Sequence, residues 1–270
     1  MDKVKLKAFL EGMYYVYARR ELVNPDPLYF LYSYSDVRDR EITGLIASSL
    51  AYGRVAQIMK SVDKVLSCLG DRPREFLLKN KDFEVVPSSF KHRFTTAYDM
   101  NNLLANVTGV LKEYGSIEAF AGECLKSSGG DLFSGMDKFS DRLSQNKKDG
   151  SFSLVSAPRD GSACKRLFLY LKWMVRDIDV DPGGWEIMDK RDLLIPLDVH
   201  MHRISSLLHL SNRKSHDLLA ASSVSHAFRS ISPSDPTRFD FPLSRFGIRH
   251  IHLSFLLGDA YYITSASSTQ

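Results

Sequence analysis

Lys165 and Asp198 are the two residues whose types and settings suit them to chemistry. A lysine that sheds its proton becomes an amine nucleophile able to form a Schiff base with a carbonyl-like carbon. A neighbouring carboxylate keeps that amine available and stabilises positive charge developing on a sugar as its base departs. Together they suit cleavage of a glycosidic bond at a nucleotide. Taken singly, Lys165 reads as a solvated charge and Asp198 as a helix cap, and only together do they point to chemistry.

The elements that must position them are legible nearby. Lys165 lies in Gly161-Ser162-Ala163-Cys164-Lys165-Arg166. A glycine-containing turn there opens a helix whose first backbone N–H groups could hold a phosphate. Asp198 lies in Ile195-Pro196-Leu197-Asp198-Val199-His200-Met201-His202-Arg203-Ile204. Pro196 restricts the residue before it to extended geometry, and Asp198 then occupies the N-cap of a helix bearing Ile204, Leu207 and Leu208. His200 and His202 lack the i,i+4 spacing that puts two metal ligands on one helix face, so phosphate contact suits them better than a metal.

The wider pattern is helical. Val55, Ile58, Met59, Val62, Val65, Leu66 and Leu69 follow amphipathic spacing that Gly70 would end, after a shorter helix through Ile42, Leu45, Ile46 and Leu50 broken at Tyr52-Gly53. Leu103, Leu104, Val107, Val110, Leu111 and Tyr114 form another, closed by Gly115. Further helices are expected over 167–175, 199–210, 215–228 and 248–262. Residues 126–161 read as loop with a short helix near 132–143, and 230–242, holding three prolines, as a second loop. Strand alternation is hard to find, so the expected class is all-α. Two lobes are expected: 42–180, carrying Lys165, and 1–41 with 181–270, carrying Asp198.

At 270 residues with 44% hydrophobic and 25% charged residues, the composition excludes a disordered or fibrous chain. No apolar run reaches the ~20 residues that span a bilayer, and the N-terminal segment alternates lysines with apolar residues, so a cytoplasmic protein without membrane partners is expected. Three cysteines without close pairing fit neither a disulfide framework nor a cluster site, and no metal or cofactor is expected. Residues 159–176 and 190–215 together hold ten basic residues against three acidic ones, as a polyanion-binding face would require. Two solvated helix faces would look the same. Oligomeric state is not readable.

The Pro-Leu-Asp-Val-His-Met segment, followed by Arg203 and an apolar helix, resembles the region around the catalytic aspartate of the helix-hairpin-helix DNA glycosylase superfamily. Gly161-x-x-x-Lys165 is similar to the end of that superfamily's hairpin, where bifunctional members carry a catalytic lysine. The 33-residue separation of Lys165 and Asp198 is similar to that in the archaeal 8-oxoguanine glycosylase branch. A looser likeness lies at 45–55, where Tyr52 and Arg54 match a turn that inserts polar side chains into duplex DNA. The hairpin differs in carrying Ala163 for a second glycine and Arg159-Asp160-Gly161 for Leu-Pro-Gly, and the usual glutamine or asparagine wedge is missing.

The chain as a whole also resembles a bacterial family of about this length known as a domain of unknown function. The glycosylase resemblance implies a helix-hairpin-helix element and base-excision repair of damaged duplex DNA, first among lesions an oxidised purine. Lys165 would be the nucleophile and Asp198 its carboxylate. Gly161, His200 and Arg203 would contact phosphates, and Trp185 and Phe246 would stack on the flipped base. The alternative is a non-catalytic nucleic-acid-binding or interaction protein on the same scaffold.

Overall fold

A computed structural model describes residues 2–82, 84–148 and 152–248. The fold is all-α, with two minimal β-hairpins among the described residues. The larger hydrophobic core is built on α2 (Val37–Ser49), α3 (Val55–Leu69), α4 (Pro73–Lys79), α5 (Ala97–Tyr114), α6 (Ile117–Lys126), α7 (Leu132–Leu143) and α8 (Lys165–Val175). Their starts carry the side chains that free helix N–H groups need: Asp36 caps α2, Ser116 caps α6, Asp131 caps α7, and Thr96 with Asp99 forms a capping box on α5. Gly70 and Gly115 end α3 and α5 with φ of 70° and 82°, where a side chain would be strained.

α8 is the central strut. Leu167, Phe168, Tyr170, Leu171, Trp173 and Met174 are all buried, giving it a broad apolar surface as an interior helix should have, interrupted by one charged stripe. It packs closely on α2 because Gly44 has no side chain; a Cβ there would sit 3.2 Å from the Tyr170 ring. The Tyr170 hydroxyl donates to the Glu41 carbonyl at 3.0 Å.

A second core gathers α1 (Lys3–Tyr17), α9 (Val199–Leu207), α10 (Leu218–Arg229) and α11 (Asp240–Ile248) around Leu10, Ile195, Leu197, Met201, Val224, Phe228 and Phe246. The division of buried residues differs from the expected lobe limits. Val23, Leu28 and Leu31 pack with the larger core, as do Val180, Trp185, Leu193 and Leu194, and the main change of core falls between Leu194 and Ile195, with Ala163 reaching the second core and Phe241 the larger one. The reason is that the segment following α8 folds back along it: the Gly183 and Trp185 N–H groups donate to the Trp173 and Met174 carbonyls.

Two expectations about elements change. The 230–242 loop ends earlier, because α11 begins at Asp240; Pro242 is tolerated in its first turn, where a missing N–H removes no helical bond. The hairpins β1–β2 (Lys91–His92, Thr95–Thr96) and β3–β4 (Asp177–Ile178, Asp181–Pro182) are antiparallel and two residues per strand, too short for alternation to register. The helix expected over 248–262 lies outside the described residues apart from Ile248, where α11 ends.

Candidate active site

The start of α8 meets the start of α9 across the seam between the two cores. Lys165 is the first residue of α8, and its Nζ lies 3.1 Å from Asp198 Oδ2. Asp198 is the N-cap of α9, where its Oδ1 accepts from the Met201 N–H at 2.8 Å. The two carboxylate oxygens therefore do different work, one fixing the helix and one facing the amine. Both side chains remain about a third exposed, 34% and 30%, so solvent or a ligand can reach the pair. Burial pushes the Asp198 carboxyl up, but Lys165, the Met201 N–H and nearby His200 outweigh it and hold it below the usual aspartate value.

Behind this pair runs a buried charge network that the sequence reading missed. Lys165 and Lys172 in α8 and Arg176, its C-cap, recur at intervals of seven and four, so they follow one side of the helix. Lys172 is 1% exposed and pairs with Asp181 at 3.4 Å and Asp240 at 3.0 Å. Arg176, equally buried, holds Asp235 at 2.8 Å and also pairs with Asp181. Asp240 is pushed up by burial, with Lys172 opposing.

The expected basic face is thereby corrected over 159–176. Lys172 and Arg176 are interior and neutralised, Arg159 is paired with Asp141, and Arg166 donates to the Ser49 and Ser153 carbonyls at 3.0 and 2.7 Å. Composition counts charges but cannot show which are matched by acids distant in sequence. Over 190–215, Arg191 pairs with Asp189 and Arg213 with Asp217, while Arg203 and His200 are exposed on α9.

The remaining predicted residues divide. Gly161 is exposed at φ 76°, between a short 3-10 turn and the chain leading into α8, and its carbonyl accepts from the Leu218 N–H. Arg54 is exposed at the start of α3. Tyr52 cannot be the side chain that inserts. Its hydroxyl meets the His92 carbonyl at 2.8 Å and Thr95 Oγ1 at 2.7 Å, and its ring lies against His92 and Phe152. Trp185 and Phe246 do not wall an open pocket. Trp185 is 3% exposed, edge-on to Tyr170, with its indole N–H donating to Glu41. Phe246 is 1% exposed and edge-on to Phe9 and Tyr17 in the second core. Large aromatic rings that read as stacking platforms are more often core, and these two are.

Among the described residues, no three His, Cys, Asp or Glu side chains gather as a metal site. No helix there is long and apolar enough to cross a membrane. No curated protein and no solved structure matches the chain. Residues 26–249, which span α2 through α11 and include both Lys165 and Asp198, match one family model, and the chain belongs to that family, described as a protein of unknown function (DUF2400).

Proposed function

We propose that this protein is a DNA base-excision glycosylase with lyase activity, using Lys165 as nucleophile and Asp198 as its carboxylate partner. The observation carrying the reading is the meeting of amine and acid at 3.1 Å, across two cores and 33 residues, at a partly open position. A structural ion pair needs no such openness, and a catalytic one does. The resemblance of the two segments to the helix-hairpin-helix glycosylases adds the reaction class.

In this reaction the damaged nucleotide leaves the stack at a cost of a few kcal/mol. Lys165 sheds a proton to the departing base, and the amine nitrogen bonds to sugar C1′ as the glycosidic bond breaks and its electron pair leaves with the base, while Asp198 stays ionised beside it. Asp198 stabilises the positive charge that develops on the sugar meanwhile. The ring then opens to an imine linking Lys165 to C1′. Loss of the C2′ proton expels the 3′ phosphate and nicks the strand. His200 and Arg203 would hold phosphates and set position without reading sequence, whereas the Gly161 backbone, its N–H donating to the Pro158 carbonyl and its own carbonyl accepting from Leu218, has no donor left for one. An oxidised purine is the first lesion to test.

Borohydride reduction of the imine decides the matter. Wild-type protein incubated with oligonucleotides that each carry one damaged base is expected to give a covalent adduct with at least one of them, and Lys165→Gln none. An adduct undiminished in Lys165→Gln, or none for wild type across the panel, refutes the assignment; salt-sensitive DNA binding in the second case would point to a non-catalytic binding module instead.

A further inference from the structure

The β1–β2 hairpin presents an aromatic residue to solvent. Its two turn residues are Arg93 and Phe94; Phe94 is 64% exposed, and Arg93 has a left-handed backbone with φ 51°. The base of the hairpin is firmly fixed. His92 bonds Ser61 Oγ and the Tyr52 carbonyl at 2.9 and 3.0 Å. Phe94 heads a run of rings: its centroid is 5.8 Å from Phe152, which is 4.9 Å from Tyr52.

Cations interleave with these rings. The Arg93 guanidinium lies 5.4 Å from the Phe94 centroid, and that of Arg166 lies 4.7 Å from Phe152 and 5.3 Å from Tyr52. Arg93 also crosses the Tyr52-Gly53-Arg54 turn so closely that a Cβ on Gly53 would be 2.6 Å from its side chain. The hairpin and the turn thus form one surface. Lys91, Arg93 and Arg54 are all exposed on it, and none has an ion-pair partner among the described residues. Rings that tolerate any flat partner, set among unpaired cations, suit a nucleic-acid strand with unstacked bases far better than an acid-poor protein face or a regular duplex.

We infer that Phe94, with Arg93, Lys91 and Arg54, is a binding platform for unpaired nucleobases of a DNA strand, stacking one base on Phe94 while the cations hold its flanking phosphates. This deepens the proposed function and rests on it for the choice of DNA. Arg166, which follows Lys165 in α8, supports the inner rings of the platform.

Fluorescence anisotropy with a short labelled oligothymidylate, beside a duplex of equal length, tests the platform on undamaged DNA and so without the chemistry of Lys165. Wild type is expected to prefer the single strand. Phe94→Ala should weaken that binding about 5- to 160-fold, and Phe94→Trp should restore it. Arg93→Gln should reduce the slope of log affinity against log salt by about 0.7. Unchanged binding by Phe94→Ala, a wild-type preference for duplex, or no strand binding at all overturns the inference.

Borohydride trapping, scored in parallel, separates the two ideas. An adduct with no Phe94 effect removes only the platform, and a Phe94 effect with no adduct removes only the glycosylase chemistry.

Discussion

Replacing Asp198 separates its two oxygens, because each has a different partner. Asparagine keeps an oxygen for the Met201 N–H and so keeps the cap, but it turns an amide N–H₂ or a neutral oxygen toward Lys165. The lost ion pair is a third exposed, and exposed pairs contribute about 0.2–1 kcal/mol, so Asp198→Asn should cost no more than about 1 kcal/mol. Alanine removes the cap as well, worth about 0.5–2 kcal/mol, for a total of roughly 1–3 kcal/mol.

Activity should order differently. Since amine and acid act together in one step, both variants should lose imine formation nearly as completely as Lys165→Gln does. Urea unfolding at neutral pH reads the first quantity and borohydride adduct the second. If Asp198→Asn is destabilised as much as Asp198→Ala, the division of labour between the oxygens is wrong. If it retains full activity, the carboxylate has no part in the reaction.

The same variant gives a pH prediction. Asp198 is held below its unfolded value of 3.8, so its stabilisation is complete above that value and disappears as pH falls through the lower folded one. The stability gap between wild type and Asp198→Asn should therefore be constant near neutrality and shrink below about pH 4; a gap that widens in acid contradicts the sign. In the buried network, Lys172→Met strands Asp240 without its cation, and unfolding should show a loss of about 3–5 kcal/mol. Adding Asp240→Asn should restore at least ~1 kcal/mol of it, whereas a Lys172→Met protein within ~1 kcal/mol of wild type would show that the pairing contributes little.

What the sequence disclosed follows from how local each signal is. α3, α5 and α7 were readable because apolar spacing and, for α3 and α5, a terminal glycine lie within one element. The pair at 165 and 198 was readable because each residue opens a helix next to a glycine or proline that marks the boundary. α1 was overlooked since its lysines alternate with apolar residues, although Asp2 caps it by accepting from Val4 and Lys5. Lys172 and Arg176 have one nearby partner in Asp181, but their others, Asp240 and Asp235, are about sixty residues away, and the run 159–176 by itself reads as a basic surface. Trp185 and Phe246 failed as pocket residues for the same reason, since burial depends on what packs against a ring.

α8 belongs to one hydrophobic cluster, and the cap of α9 to the other. The groups proposed to react are therefore assembled across a joint, much as the two jaws of a clamp meet only when the hinge is tight. Loosening the salt-bridged stripe behind them would part amine from acid long before either half melted, and reactivity would fade while spectroscopic signs of helix stayed intact.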